Sequence, residues 1–111
     1  MKYSAYYVEE IDGVFSASIS ELELEKPSDG FVQIQVSCSS LNYKDALSAS
    51  GNKGVTRNYP FVPGIDAAGT ISDANSSNFV EGDEVLVTGY DMGMNTPGGF
   101  GEFINVPANW V

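Results

Sequence analysis

Apolar and polar positions alternate most clearly between Phe31 and Ser39. Val32, Ile34, Val36 and Cys38 fall on one side of an extended chain, and Gln33, Gln35 and Ser37 fall on the other. A period of two marks a strand with one buried face. It also puts Cys38 among the apolar residues, as a reduced core thiol. The Tyr- and Val-rich run from Lys2 to Glu10 and the alternation from Val14 to Ile19 flank Asp12-Gly13. That dipeptide is turn chemistry, and the pair predicts a hairpin. Leu22 and Leu24 alternate with Glu21, Glu23 and Glu25, which predicts a further half-exposed strand before Pro27-Ser28-Asp29-Gly30 breaks the pattern.

Beyond Ser39 the period changes. Ser39, Ser40 or Asn42 can cap a helix of about two turns that runs to Ser50, with Gly51 as its stop. Gly51 to Tyr59 is a loop, and Pro60 and Pro63 then hold the backbone extended into Gly64. Ile65 to Asp73 is the next predicted strand. Its small residues Ala67, Ala68 and Gly69 imply that another element packs close to the backbone. After a polar loop, Glu81-Gly82-Asp83 turns into a buried strand over Glu84 to Thr88. Gly89 to Gly99 is a flexible loop, and Gly101 to Val106 is the last strand. Six or seven short strands with one or two short helices predict a mainly β domain, a small twisted barrel or sandwich.

Composition narrows the function classes. At 111 residues the chain holds one domain, residues 1–111, large enough for a real core. Fifteen acidic against five basic residues give a net charge of −10, which repels polyphosphates and acidic membranes. Nucleic-acid and membrane partners are therefore not expected. The N-terminal residues lack an apolar signal region, and no apolar run is long enough to span a bilayer, so a cytoplasmic location is expected. Asn75-Ser76-Ser77 is then a chance match to a glycosylation acceptor.

With no His and one Cys, the chain has no metal-ligand set. Gly98-Gly99-Phe100-Gly101 lacks the spacing of a dinucleotide loop and precedes a strand, so its role is conformational. The remaining chemistry lies in Asn42-Tyr43-Lys44-Asp45 and in Asp66. By residue type alone, the first group reads more readily as a capped helix start with a surface Lys-Asp pair. Asp66 either faces a cleft or ties down backbone amides.

These segments carry a resemblance. Ser40-Leu41-Asn42-Tyr43-Lys44-Asp45-Ala46-Leu47, Pro60-Phe61-Val62-Pro63-Gly64-Ile65-Asp66-Ala67-Ala68-Gly69-Thr70, Gly82-Asp83-Glu84-Val85-Leu86-Val87-Thr88-Gly89-Tyr90 and Gly98-Gly99-Phe100-Gly101-Glu102-Phe103 occur in this order. The chain resembles the N-terminal half of a zinc-free medium-chain reductase, in the acrylyl-CoA reductase and quinone oxidoreductase branch. The resemblance implies a GroES-like, twisted, partly open β-barrel. Zinc-dependent relatives have a cysteine where Asn42 stands and a His-Glu pair at Ile65-Asp66, so no zinc is implied.

The implied reaction is NADPH-dependent reduction of α,β-unsaturated carbonyl, acyl-CoA or quinone substrates. Tyr43 lies against the nicotinamide in the resembled enzymes, and Asn42 lines the same cleft. Asn42, Tyr43 and Asp66 are thus the candidate catalytic residues, with Tyr43 also the candidate cofactor contact. Asp45 orders the loop. The resembled enzymes continue into a dinucleotide-binding Rossmann domain that has no counterpart in these residues. The expectation is therefore a truncated or split catalytic domain, inactive alone and binding NADPH weakly. The alternative is a stand-alone oligomeric or structural module without catalysis. Either way a homo-oligomer or a completing protein partner is expected, because strand edges are left open.

Overall fold

A computed structural model describes residues 1–111. Strand β1 (Lys2–Ile11) pairs antiparallel with β2 (Val14–Glu23), and Asp12 and Gly13 supply the two left-handed residues of the tight turn between them. Leu22 and Glu23 extend β2 rather than form a strand of their own, because their alternation continues in phase with the ladder to β1. Strands β3 (Phe31–Cys38), β4 (Asp66–Asp73), β5 (Glu84–Thr88) and β6 (Phe103–Pro107) form a second antiparallel sheet in the order β5-β4-β3-β6. One helix, α1 (Tyr43–Ala49), and a 3-10 turn over Ala108–Trp110 complete the elements. The fold is mainly β, as expected.

The two sheets meet along β1 rather than closing into a continuous barrel. Tyr6 N–H donates to the Phe100 carbonyl at 2.8 Å, Glu102 N–H to Ser4 at 3.0 Å, and Val8 exchanges two bonds with Phe61. The outer edge of β1 is thereby paired. The core lies on the inner face of the second sheet, where Val32, Ile34, Ala67, Ile71, Val87, Ile104 and Val106 pack with Met92. Alternation along each strand delivers these residues to one face.

Three positions depart from the sequence-based expectation. Met92 is fully buried, so the segment from Gly89 to Gly99 is anchored to the core by its side chain rather than flexible. Leu86 is 60% exposed, so β5 is half-buried rather than buried. Cys38 is exposed rather than a core thiol. The β3–β4 register shifts between Val36 and Cys38, and such a bulge turns the following side chains off the buried face.

Polar groups hold the connections. The Asn75 amide donates to the carbonyls of Pro27, Ser28 and Phe31 at 3.2, 2.7 and 3.0 Å, which pins the turn before β3. Gly98 N–H donates to Val62, Gly99 N–H to Gly64 and Phe100 N–H to Pro63, at 2.7–3.0 Å, so the two proline- and glycine-rich segments run side by side. A Cβ on Gly64 would sit 2.7 Å from the Gly99 and Phe100 nitrogens, and its φ of +112° suits glycine alone. The glycine run is thus conformational, as its spacing indicates.

An aromatic cluster fastens the hairpin to the loop after α1. Phe15 and Tyr59 pack edge-to-face at 4.9 Å, and Lys53 Nζ lies 5.5 and 5.1 Å from their ring centres while pairing with Glu10 at 2.7 Å. The Tyr59 hydroxyl donates to the Ser48 carbonyl at 2.6 Å. Burial raises the Tyr59 pKa above its ordinary 10.0, the Glu10 charge adds to this, and a hydrogen bond with Thr56 partly opposes it. The folded state therefore holds this proton more tightly than the unfolded chain does. Its stabilising effect is complete below about pH 10 and is lost as pH rises through the folded value. Thermal unfolding between about pH 9 and 11 should show the midpoint falling, with a shallower fall in Tyr59→Phe.

Candidate functional site

The end of β3 and the start of β4 lie side by side, and α1 begins where β3 ends. Asn42 is the N-cap residue of α1, with an extended backbone at φ −122° and ψ 159°. Ser40 and Asn42 are two residues apart on extended chain, so both side chains reach the same neighbour. That neighbour is Asp66. Ser40 Oγ donates to Asp66 Oδ2 at 2.7 Å, and Asn42 Nδ2 donates to the same oxygen at 3.1 Å and to Ser40 Oγ at 3.0 Å.

Asp45 is the anchor beneath this cluster. It is 1% exposed, and no lysine or arginine pairs with it. Its Oδ2 accepts the Asn42 N–H at 2.9 Å and its Oδ1 accepts the Ile65 N–H at 3.0 Å. One carboxylate thus binds the residue that caps α1 and the residue before Asp66. Asp45 orders the loop, as its place in the motif suggests. Lys44 is exposed and pairs with neither Asp45 nor any other carboxylate.

Asn42 and Asp66 are therefore brought into direct contact. Tyr43 is not: its side chain is 80% exposed and takes no part in the network. Ser40, which the sequence marks only as one of three possible caps, is the hydroxyl that links the other two. Beside the network lies an open recess of about 290 Å³ lined by Cys38, Ser40, Asp66, Ala68, Leu86 and Thr88. Its lining surface is almost wholly apolar. The structure contains no group of three His, Cys, Asp or Glu side chains placed to hold a metal ion. No helix is long and apolar enough to cross a membrane.

This sheet, helix and cap arrangement defines a class. Residues 28–111 match the alcohol dehydrogenase GroES-like domain, and the chain belongs to that family. Within it the similarity runs to the reductase branch. The chain is 45% identical over 85 residues to the putative quinone oxidoreductase YhfP of Bacillus subtilis, a match covering 77% of this chain and 26% of YhfP. It is 41% identical over 107 residues to the probable acrylyl-CoA reductase AcuI of Escherichia coli, covering 96% of this chain and 33% of AcuI. The crystal structure of YhfP with NAD bound superposes with a TM-score of 0.91 at 35% identity, covering 99% of this chain and 33% of YhfP. The structure of Escherichia coli YhdH with bound NADPH gives 0.87 at 42% identity, covering 96% and 33%. The chain thus spans a quarter to a third of the length of these relatives.

Proposed function

We propose that this domain is the substrate-side half of a zinc-independent, NADPH-dependent reductase of α,β-unsaturated acyl-CoA, related carbonyl or quinone substrates. The Ser40–Asn42–Asp66 network at the edge of an open, mainly apolar recess is the observation that carries this reading. The NAD- and NADPH-bound relatives support it. When bound, NADPH supplies a hydride to the β-carbon, and the enolate oxygen holds the displaced electron pair until solvent protonates the α-carbon.

The protein's part is to orient the substrate and stabilise that oxygen. An amide nitrogen has two hydrogens, and Asn42 commits both to Ser40 and Asp66. The Tyr43 hydroxyl is exposed and uncommitted, which leaves it free to donate to the developing oxyanion, with its ring as a surface for the nicotinamide, if substrate and cofactor bind on the Tyr43 side of the Asn42 cap. Asn42 holds Asp66 in place at the recess. A nucleotide-binding unit from outside these residues completes the enzyme, and these 111 residues alone turn over neither acrylyl-CoA nor quinones.

Titration of the chain with NADPH, followed by nicotinamide fluorescence, tests the cofactor contact. Without a diphosphate-binding loop and with a charge of −10, saturation is expected near millimolar cofactor. Tyr43→Ala should weaken it by about three- to tenfold through loss of ring stacking. Equal affinity in the variant would remove Tyr43 from the site. A second reading, a module that assembles without catalysis, is favoured by the open edge of β2, and an absence of cofactor binding would select it.

A further inference from the structure

The direction of every main-chain group on β2 follows from the bonds on the far side of β1. Ser4, Tyr6 and Val8 bond outward to Glu102, Phe100 and Phe61. In an antiparallel ladder both members of a pair then point away from each other. Their partners are Glu21, Ile19 and Ala17. The N–H and C=O groups of Ala17, Ile19 and Glu21, and in the same phase Phe15, therefore face the open side of the hairpin. No protein group bonds to them there.

This edge is ten residues long, and its only charged side chains, Glu21 and Glu23, lie at its C-terminal end. From Val14 to Glu23 there is no Pro and no Lys, and the β1–β2 register is unbroken. Its middle, Ser16-Ala17-Ser18, is small and flat. Ile19 is 72% exposed beside it.

We propose that β2 is a homodimerisation edge that pairs antiparallel with β2 of a second copy about a two-fold axis at Ala17. The sequence is self-complementary in that register. Ala17 meets Ala17, Phe15 meets Ile19 of the second copy on the same face, and Ser16 meets Ser18 on the other. Each outward residue exchanges its N–H and C=O with its opposite. Aromatic and β-branched side chains are favourable cross-strand partners. Glu21 falls opposite Gly13, so no acidic side chain directly opposes another. The alternative axis at Ser18 would put Glu21 against Phe15 and lose both apolar pairs.

A contact this size lies below about 1,200 Å² in total, so a dissociation constant on the order of tens to hundreds of micromolar is expected. Two copies of charge −10 repel each other, so added salt should tighten the dimer. Neither property depends on the reductase reading.

Sedimentation equilibrium of the whole chain, from about 5 μM to 1 mM, measures this directly. The mass should rise from 11.8 kDa toward twice that value, and further at high salt. Ala17→Pro removes an outward N–H without breaking the β1 ladder. Ile19→Lys leaves the main chain intact. Both should stay monomeric, with circular dichroism confirming that they fold. In a Cys38→Ser background, Ala17→Cys should oxidise to a covalent dimer, and Ile19→Cys should do so far less. A monomer throughout, or a dimer indifferent to both substitutions, overturns the proposal. So does preferential cross-linking through Ile19→Cys.

Discussion

Replacing Asp45 by alanine should lower the thermal midpoint by on the order of 15 °C. The carboxylate is buried and accepts two backbone N–H groups, from Asn42 and Ile65. Alanine leaves both donors unpaired, at about 1–3 kcal/mol each. In a domain of this size one kcal/mol moves the midpoint by about 4–8 °C. Asp45→Asn keeps one acceptor oxygen but turns the other position into a donor facing an N–H, so its effect should be intermediate. Since the lost bonds flank Asn42 and Asp66, NADPH affinity should fall as well. A shift below about 3 °C would mean that water replaces the carboxylate.

Gly69→Ala should abolish the native state, with a loss of more than about 4 kcal/mol, which is exceptional for adding one methyl group. The two paired strands approach very closely here: a Cβ on Gly69 would overlap the carbonyl oxygen of Gln35 on β3 and crowd the Val36 backbone. Both obstacles are main chain in central strands, so neither can swing aside as a flexible side chain would. Relief requires β3 and β4 to separate beside the register shift that precedes Cys38. Gly54→Ala is the control. Only the Asn52 side chain approaches a Cβ there, and the backbone is not left-handed, so near-wild-type stability is expected. Chemical denaturation of the two variants distinguishes these outcomes.

The strands were legible wherever a period of two met a solvated face. Val32, Ile34, Ile104 and Val106 show this, as does the Asp12-Gly13 hairpin turn. The small residues around Gly69 correctly indicated a close approach. What failed were readings that needed knowledge of neighbours. Cys38 keeps the phase of its strand in the sequence, but a bulge that only β4 can impose exposes it. Met92 sits in a turn-rich segment with no period, so nothing local reveals that it fills the core. At the candidate site, Asn42 and Asp66 were recognisable through family resemblance. Their direct contact and the linking role of Ser40 appear only when β3 and β4 are paired. The separation of Tyr43 from that network follows from the start of α1, where one residue of helical rotation turns its side chain away from that of Asn42.

The central place of β3 also bears on how the domain forms. β3 is flanked by β4 on one side and by β6 on the other, and its Gln33 side chain bonds to Asn105, 72 residues further along. The hairpin can form early because its contacts are local, whereas the sheet that carries the core must close a long loop before its central strand is covered. During synthesis β3 therefore waits with one edge open until Phe103–Pro107 has left the ribosome, and over that interval its aggregation hazard is greatest.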